Sequence, residues 1–353
     1  MELIETLCQV AIDNGAEDLY LKEGGTPRLR IKGELLEIDD AMFSIKDMDY
    51  FLDECGYEDS TAKEVDLAWE SANGQRFRVN ISDSLGKRCA VLRPLREVTQ
   101  SMMALGLPVE RLQNWLTRAH GLILFTGATG SGKSTSLASC LNWIAKNYKK
   151  HIITIEDPVE YLLKSAKSLV SQRQVGTDTE SFHDGLRASL RQSPDVIFVG
   201  EIRDYETAKS ALHACETGHL VVTTMHSSDV TETVQRLLTL FPSNEREAAL
   251  HIISRQLLGI LSQKLVAGED ENLHLLVEHL ENTGAVRKWI EQGEMSKVAD
   301  FLAQGSHSEN VTFINSIILA YKAGQISEET ARSACSDPAD FNRIMLGVSH
   351  GSR

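Results

Sequence analysis

The chain has 353 residues, 42% hydrophobic and 24% charged, with 36 Lys and Arg against 50 Asp and Glu for a formal net charge of −14. At roughly 150 residues per domain it is too long for one small module, and its composition excludes disorder as the main state. Its negative field opposes a polyanion, so nucleic acid is not an expected partner. Apolar runs such as Gly121-Leu122-Ile123-Leu124-Phe125 fall far below the roughly 18 to 20 residues of a membrane span. The opening Met1-Glu2-Leu3-Ile4-Glu5 carries acids where a secretory signal carries bases, which points to a cytoplasmic location. Cys8, Cys55, Cys89, Cys140, Cys215 and Cys335 stand far apart with no CxxC pair, and are expected as reduced thiols.

In chain order, Leu19-Tyr20-Leu21 and Leu29-Arg30-Ile31 read as strands around the turn Gly24-Gly25-Thr26-Pro27, and Leu35-Leu36-Glu37-Ile38 follows Gly33. Arg76 to Ile81 and Cys89 to Leu92, separated by Gly86-Lys87, make a second strand pair. Residues 1–95 are therefore expected as a small α+β domain and 96–120, with the proline-bounded stretch Ser101 to Pro108, as a linker. From residue 121 to 267 the pattern becomes α/β. Leu122–Phe125, Ile152–Ile155, Val196–Val199 and Leu220–Val222 are apolar runs of strand length, as in a parallel sheet covered on both faces. Leu137, Leu141 and Ile144 lie on one face of a helix after the first of these. Gly268-Glu269-Asp270-Glu271 and Gly305-Ser306-His307-Ser308 mark loops, and residues 268–353 read as mainly helical, with Ile314, Ile317, Ile318 and Tyr321 at helical spacing.

Between the first strand and its helix, Gly127-Ala128-Thr129-Gly130-Ser131-Gly132-Lys133-Ser134, followed by Thr135, fits G-x-x-x-x-G-K-[ST] in full. Glycines let main-chain N–H groups curl around phosphates at a helix start; Lys133 would reach the β- and γ-phosphates and Ser134 would ligate Mg²⁺. Hydrolysis also needs a carboxylate on the metal side and a group to orient water. Ile152–Ile155 runs into Glu156-Asp157-Pro158-Val159-Glu160, and Val196–Val199 into Gly200-Glu201. Acids at the carboxyl ends of parallel strands converge on the ligand. Glu160 or Glu156 could polarise water and Glu201 could hold the metal's hydration shell; equally, such acids cap helices or stay solvated. His226 ends the fourth strand, where it could sense the γ-phosphate, while His219 before that strand could fasten the sheet.

With these four segments in order, the chain resembles the secretion-ATPase superfamily, most closely the twitching-motility (PilT-type) ATPases of type IV pilus retraction. The resemblance rests on GATGSGKST, TIEDPVE (Thr154 to Glu160), DVIFVGEIRD (Asp195 to Asp204) and ETGHLVVTTMH (Glu216 to His226), and runs from Asp18-Leu19-Tyr20-Leu21 to Tyr321-Lys322-Ala323-Gly324. It implies a PAS-like N-terminal α+β domain, a RecA-like ATPase domain and a helical C-terminal tail, with six subunits in a ring. It also implies ATP and Mg²⁺ as cofactors, Lys133 on phosphate, Glu160 rather than Glu156 as catalytic glutamate, Glu201 as the Walker B acid and His226 as the coupling residue. Arg78 and Arg93 match the N-terminal arginines that complete such a site. The implied partners are an inner-membrane platform protein, which would hold the motor at the cytoplasmic membrane's inner face, and a paralogous retraction ATPase.

Three departures stand out. The usual His-Ala-Ser-Asp-Leu-His start is Asn14-Gly15-Ala16-Glu17-Asp18-Leu19-Tyr20, the threonine after the histidine box is Ser227, and the retraction-associated AIRNLIRE segment is Ala285-Val286-Arg287-Lys288-Trp289-Ile290-Glu291-Gln292. The rival motors of pilus assembly and type II secretion generally carry a longer N-terminal region and a four-cysteine metal module, and this sequence has neither. A nucleotide-gated regulatory protein is the alternative from another class.

Overall fold

In a computed structural model, the structure describes residues 2–39, 41–57, 64–270, 272–303 and 310–345. The chain divides into two units, Met1–Glu97 and Val98–Arg353.

The first unit contains α1 (Glu2–Asp13), β1 (Asp18–Lys22), β2 (Arg28–Ile31), β3 (Glu34–Glu37), α2 (Ile45–Glu54), β4 (Glu64–Glu70), β5 (Arg76–Ser84), β6 (Lys87–Pro94) and the short β7 (Arg96–Glu97). The first six strands form an antiparallel sheet in the order β3-β2-β1-β6-β5-β4. Alternation buries Phe77, Val79 and Ile81 of β5 on one face. Against that face α1 sets Ile4, Leu7, Cys8 and Ala11, and α2 sets Met48, Phe51 and Leu52. Ser44 starts α2 with a capping box closed by Asp47. The strands expected from sequence correspond to β1, β2, β3, β5 and β6.

In the second unit come α3 (Val109–Leu116), β8 (Gly121–Thr126), α4 (Lys133–Asn147), β9 (His151–Glu156), β10 (Tyr161–Leu162), β11 (Leu169–Gln174), α5 (Phe182–Ser189), β12 (Val196–Val199), α6 (Tyr205–Glu216), β13 (Leu220–Met225), α7 (Val230–Thr239) and α8 (Arg246–Gln256). β14 (Leu257–Ala267) and β15 (Leu273–Glu281) follow, then α9 (Gly284–Glu291), α10 (Met295–Ala303), α11 (Phe313–Lys322), α12 (Glu328–Ala334) and α13 (Pro338–Met345). Seven strands form one sheet in the order β11-β9-β12-β13-β8-β14-β15, parallel throughout except for the antiparallel β14–β15 pair. Ile155, Ile197 and Val221 pack on one face with α6 to α8, while Ile123, Val196 and Val222 pack on the other with α3 and α4. The four apolar runs are therefore continuous because both of their faces are dry. This is the RecA-like α/β fold, and the parallel strands β8, β9, β12 and β13 all end on one side of the sheet.

Two boundaries differ from expectation. Residues 98–120 are not a spacer: Met102, Leu107, Leu112, Trp115 and Leu116 join the core of the second unit. Trp115 fits only because position 259 is glycine, where a Cβ would lie 2.2 Å from its ring. The segment expected to be mainly helical begins with β15, whose side chains are largely buried and so lack the alternation that identifies a strand. Gly268 to Asp270 lie in the β14–β15 connection, and Gly268 donates to the Asn272 carbonyl at 2.8 Å. The loop expected at Gly305 to Ser308 falls outside the described residues. Among the described residues no helix is long and apolar enough to cross a membrane.

Candidate nucleotide site

β8 delivers the chain to Gly127, and α4 begins at Lys133. Gly127 takes φ 142°, and a Cβ there would stand 2.4 Å from the Gln263 carbonyl oxygen and 2.6 Å from Ser131 Oγ. Only glycine lets the loop pass so close to β14. Gly132, at φ 85°, turns the chain into α4. Lys133 is buried, and its Nζ donates to the carbonyls of Gly127 at 2.7 Å and Ala128 at 2.9 Å. Burial pushes its ammonium below the ordinary lysine range, while Glu201 and Glu160 pull it back up.

Lys133 and Ser134 line a cavity of about 510 Å³ together with Gly130, Glu160, Glu201 and His226. The structure thus gathers the loop and three of the expected side chains on one side of the sheet. The two candidate acids at and after the end of β9 both line the cavity, in different surroundings. Glu156 is held by Thr154 Oγ1 at 2.6 Å and Gln172 Nε2 at 3.0 Å, and burial raises its carboxyl above the usual range. Glu160 is exposed at the cavity, near enough to act on Lys133. Its neighbour Tyr161 pairs hydroxyls with Thr135 of α4 at 2.8 Å.

Glu201 leaves β12 through Gly200, whose N–H donates to the Ile155 carbonyl at 2.8 Å and whose carbonyl accepts from Thr224 Oγ1 at 2.6 Å. One Glu201 oxygen pairs with Arg203; the other lies 3.4 Å from His226 Nε2 but is buried without an aligned hydrogen bond. A buried carboxylate oxygen left over in this way, in a cavity also lined by the exposed Ser134, fits the second sphere of a hydrated divalent ion. Among the described residues no three His, Cys, Asp or Glu side chains cluster as a metal site, so such an ion would draw its other ligands from phosphate and water. Burial, followed by the Lys133 charge, lowers the His226 imidazole below its ordinary value, and Glu201 opposes the shift.

Ser227 is buried. Its N–H donates to Thr126 Oγ1 at 3.1 Å and its hydroxyl pairs with Thr233 Oγ1 at 2.7 Å, so serine supplies the hydroxyl contacts at this departure from the usual threonine. His219 lies at the opposite end of β13, with Nδ1 3.1 Å from the Ala214 carbonyl, and fastens the end of α6. Arg78 and Arg93 belong to the first unit and face each other across β5 and β6. Arg78 pairs with Asp66 at 3.4 Å, and Arg93 with the buried Asp18 at 2.7 Å. Val286 and Ile290 of the altered 285–292 segment are buried, and Trp289 packs on Phe301. Sequence reading missed Arg203, Tyr161 and Gln172. The first two sit in or beside quoted boxes, whereas Gln172 has no motif of its own.

Residues 62–305 match the family described as type II/IV secretion system protein. The type IV pilus retraction ATPase PilT of Pseudomonas aeruginosa is 33% identical over 348 residues, 97% of this chain and 100% of that relative. A twitching motility protein of Neisseria gonorrhoeae is 36% identical over 314 residues, 87% of this chain and 83% of the relative. Among solved structures, the pilus retraction motor PilT with bound ADP superposes with a TM-score of 0.85 at 37% identity, covering 96% of this chain and 99% of that one. With more than half its length matched and near-complete relatives above 30% identity, the chain belongs to the type II/IV secretion system protein family.

Proposed function

We propose that the protein is an ATP-hydrolysing motor that powers type IV pilus retraction. The observation that carries this reading is the single cavity shared by Lys133, Ser134, Glu160, Glu201 and His226 at the carboxyl ends of a parallel sheet. In this proposal the main-chain amides from Gly127 to Ser134 grip the phosphates, Lys133 leaves the loop carbonyls for phosphate oxygens, and Glu160 orients the attacking water. Mg²⁺, when bound through Ser134 and water held by Glu201, neutralises phosphate charge. His226 reads the end of the triphosphate and passes its state to Glu201. Six copies form the ring, in which Arg78 and Arg93 supply further positive charge for phosphoryl transfer. The ring works against a platform protein at the inner face of the membrane, beside a paralogous motor.

Force requires that nucleotide bind open and closed states with different affinity, since equal affinity shifts no population. The test has two parts. The purified protein should release phosphate from ATP in steady state, and a strain lacking it should carry surplus surface fibres that no longer shorten. Absent fibres indicate an assembly motor instead, and binding without turnover indicates a nucleotide-gated regulator.

A further inference from the structure

We propose that Gln172 and Gln174, on the edge strand β11, are positioning residues for Glu160; the inference rests on the reading of Glu160 as the residue that orients water. β11 runs parallel to β9, with Gln172 opposite Thr154 and Gln174 opposite Glu156. Two residues apart on one strand, both glutamines point to the same face. Gln174 Oε1 accepts from the Val159 N–H at 3.3 Å. Gln172 Oε1 accepts from the Leu163 N–H at 2.8 Å, and its Nε2 donates to the Tyr161 carbonyl at 2.9 Å and to Glu156 Oε1 at 3.0 Å.

These bonds take hold of the main chain immediately before Glu160 and immediately after it. They also give Glu156 a place: its half-buried carboxylate accepts from Gln172 Nε2, which leaves Oε1 to accept from the Leu163 N–H. Glu160 itself lies exposed on a segment between β9 and the two-residue β10, with little regular structure to set its direction. Without the glutamines that segment gains freedom, and a displacement near 1 Å at a reacting group costs on the order of a hundredfold in rate. Neither glutamine bonds a residue of the phosphate loop, and the one link to it is the Tyr161 hydroxyl on Thr135 at 2.8 Å, so nucleotide affinity rests on Lys133 and the loop amides.

The test is a turnover and binding comparison of full-length Gln172→Met, Gln172→Glu, Gln174→Met, Glu160→Gln and the double variant Gln172→Met/Glu160→Gln. Methionine keeps the length of the side chain and removes its three bonds. Glutamate sets a second acceptor against the Tyr161 carbonyl and the Glu156 carboxylate. Gln172→Met should lose roughly 10- to 100-fold in kcat with ADP affinity unchanged, and Gln172→Glu should lose more. Gln174→Met gives up two neutral bonds, from the Val159 N–H and to Thr177 Oγ1, of which only the first reaches the Glu160 segment, and should lose about fivefold, which keeps the proposal testable if position 172 variants fail to fold. In the Glu160→Gln background, Gln172→Met should cost almost nothing further, because its effect passes through Glu160. Full turnover in Gln172→Met, or an equal loss in both backgrounds, overturns the positioning role. Full turnover in Glu160→Gln alone instead overturns the reading on which it rests.

Discussion

Replacing Lys133 with alanine isolates the phosphate grip. Lys133 Nζ bonds two loop carbonyls at 2.7 and 2.9 Å, so the side chain has the reach and donor count to offer two bonds to phosphate oxygens in their place. A hydrogen bond to a charged partner contributes about 1.5–3 kcal/mol. After allowing for the carbonyl bonds given up, the net loss is about 3 kcal/mol, or roughly a hundredfold in Kd. At ADP equal to about 100 times the parental Kd, nucleotide stabilises the parent by about 2.7 kcal/mol and the variant by only about 0.4 kcal/mol. For a unit of this size that is a ligand-induced rise in Tm of about 5–11 °C against about 1–2 °C, each referenced to the same protein without nucleotide. The pH sign follows from burial. Lys133 is held below its ordinary range without ligand and is raised again by a bound anion, so parental affinity weakens as pH rises between those two values and the variant lacks that dependence. A variant that keeps the full ADP-induced rise refutes the assignment.

Glu160→Gln should keep the ADP-induced rise in Tm but lose roughly 10²–10⁴ in turnover; unchanged phosphate release contradicts the role given to Glu160. His226 should titrate below 6.5 when followed by NMR, and Lys133→Met should move its midpoint upward because the Lys133 charge is one cause of the depression. As a group whose folded value is lowered, His226 costs stability as pH falls through 6.5, and a midpoint at or above that value contradicts its burial against Lys133. Gly127→Ala forces a Cβ to 2.4 Å from the Gln263 carbonyl at φ 142°, costing on the order of 1–3 kcal/mol in strain. Its nucleotide affinity should fall at least about tenfold, so parental affinity and Tm would show that the loop is not confined.

The sequence made the centre of the second unit readable because its physics is local. Leu122–Phe125 and Val196–Val199 are apolar without interruption since both faces of their strands are covered, and Gly127 to Ser134 announce a phosphate loop by residue type and spacing alone. β15 was hidden because both of its faces are covered, Leu276 by Phe313 and Ile317 of α11 and Leu275 and Val277 by the cluster around Trp115, which erases the period of two. Trp115 could not be assigned to the core from its neighbours, as its place depends on Gly259, far along the chain. The different surroundings of Glu156 and Glu160 were likewise unreadable from the residues themselves, because Glu156 is held by Gln172, which reaches across from β11. Residues whose role is to hold others carry no motif, and only the register of the sheet brings them into view.

The account stands or falls on what surrounds the outermost phosphate. A crystal structure of the assembled protein with Mg²⁺ and a non-hydrolysable ATP analogue tests this most directly. It should place the γ-phosphate on Lys133, with Glu160 bonded to a water in line for attack and Glu201 and His226 on the metal and phosphate side. A γ-phosphate that Glu160 and His226 do not approach, even through one water, contradicts the account.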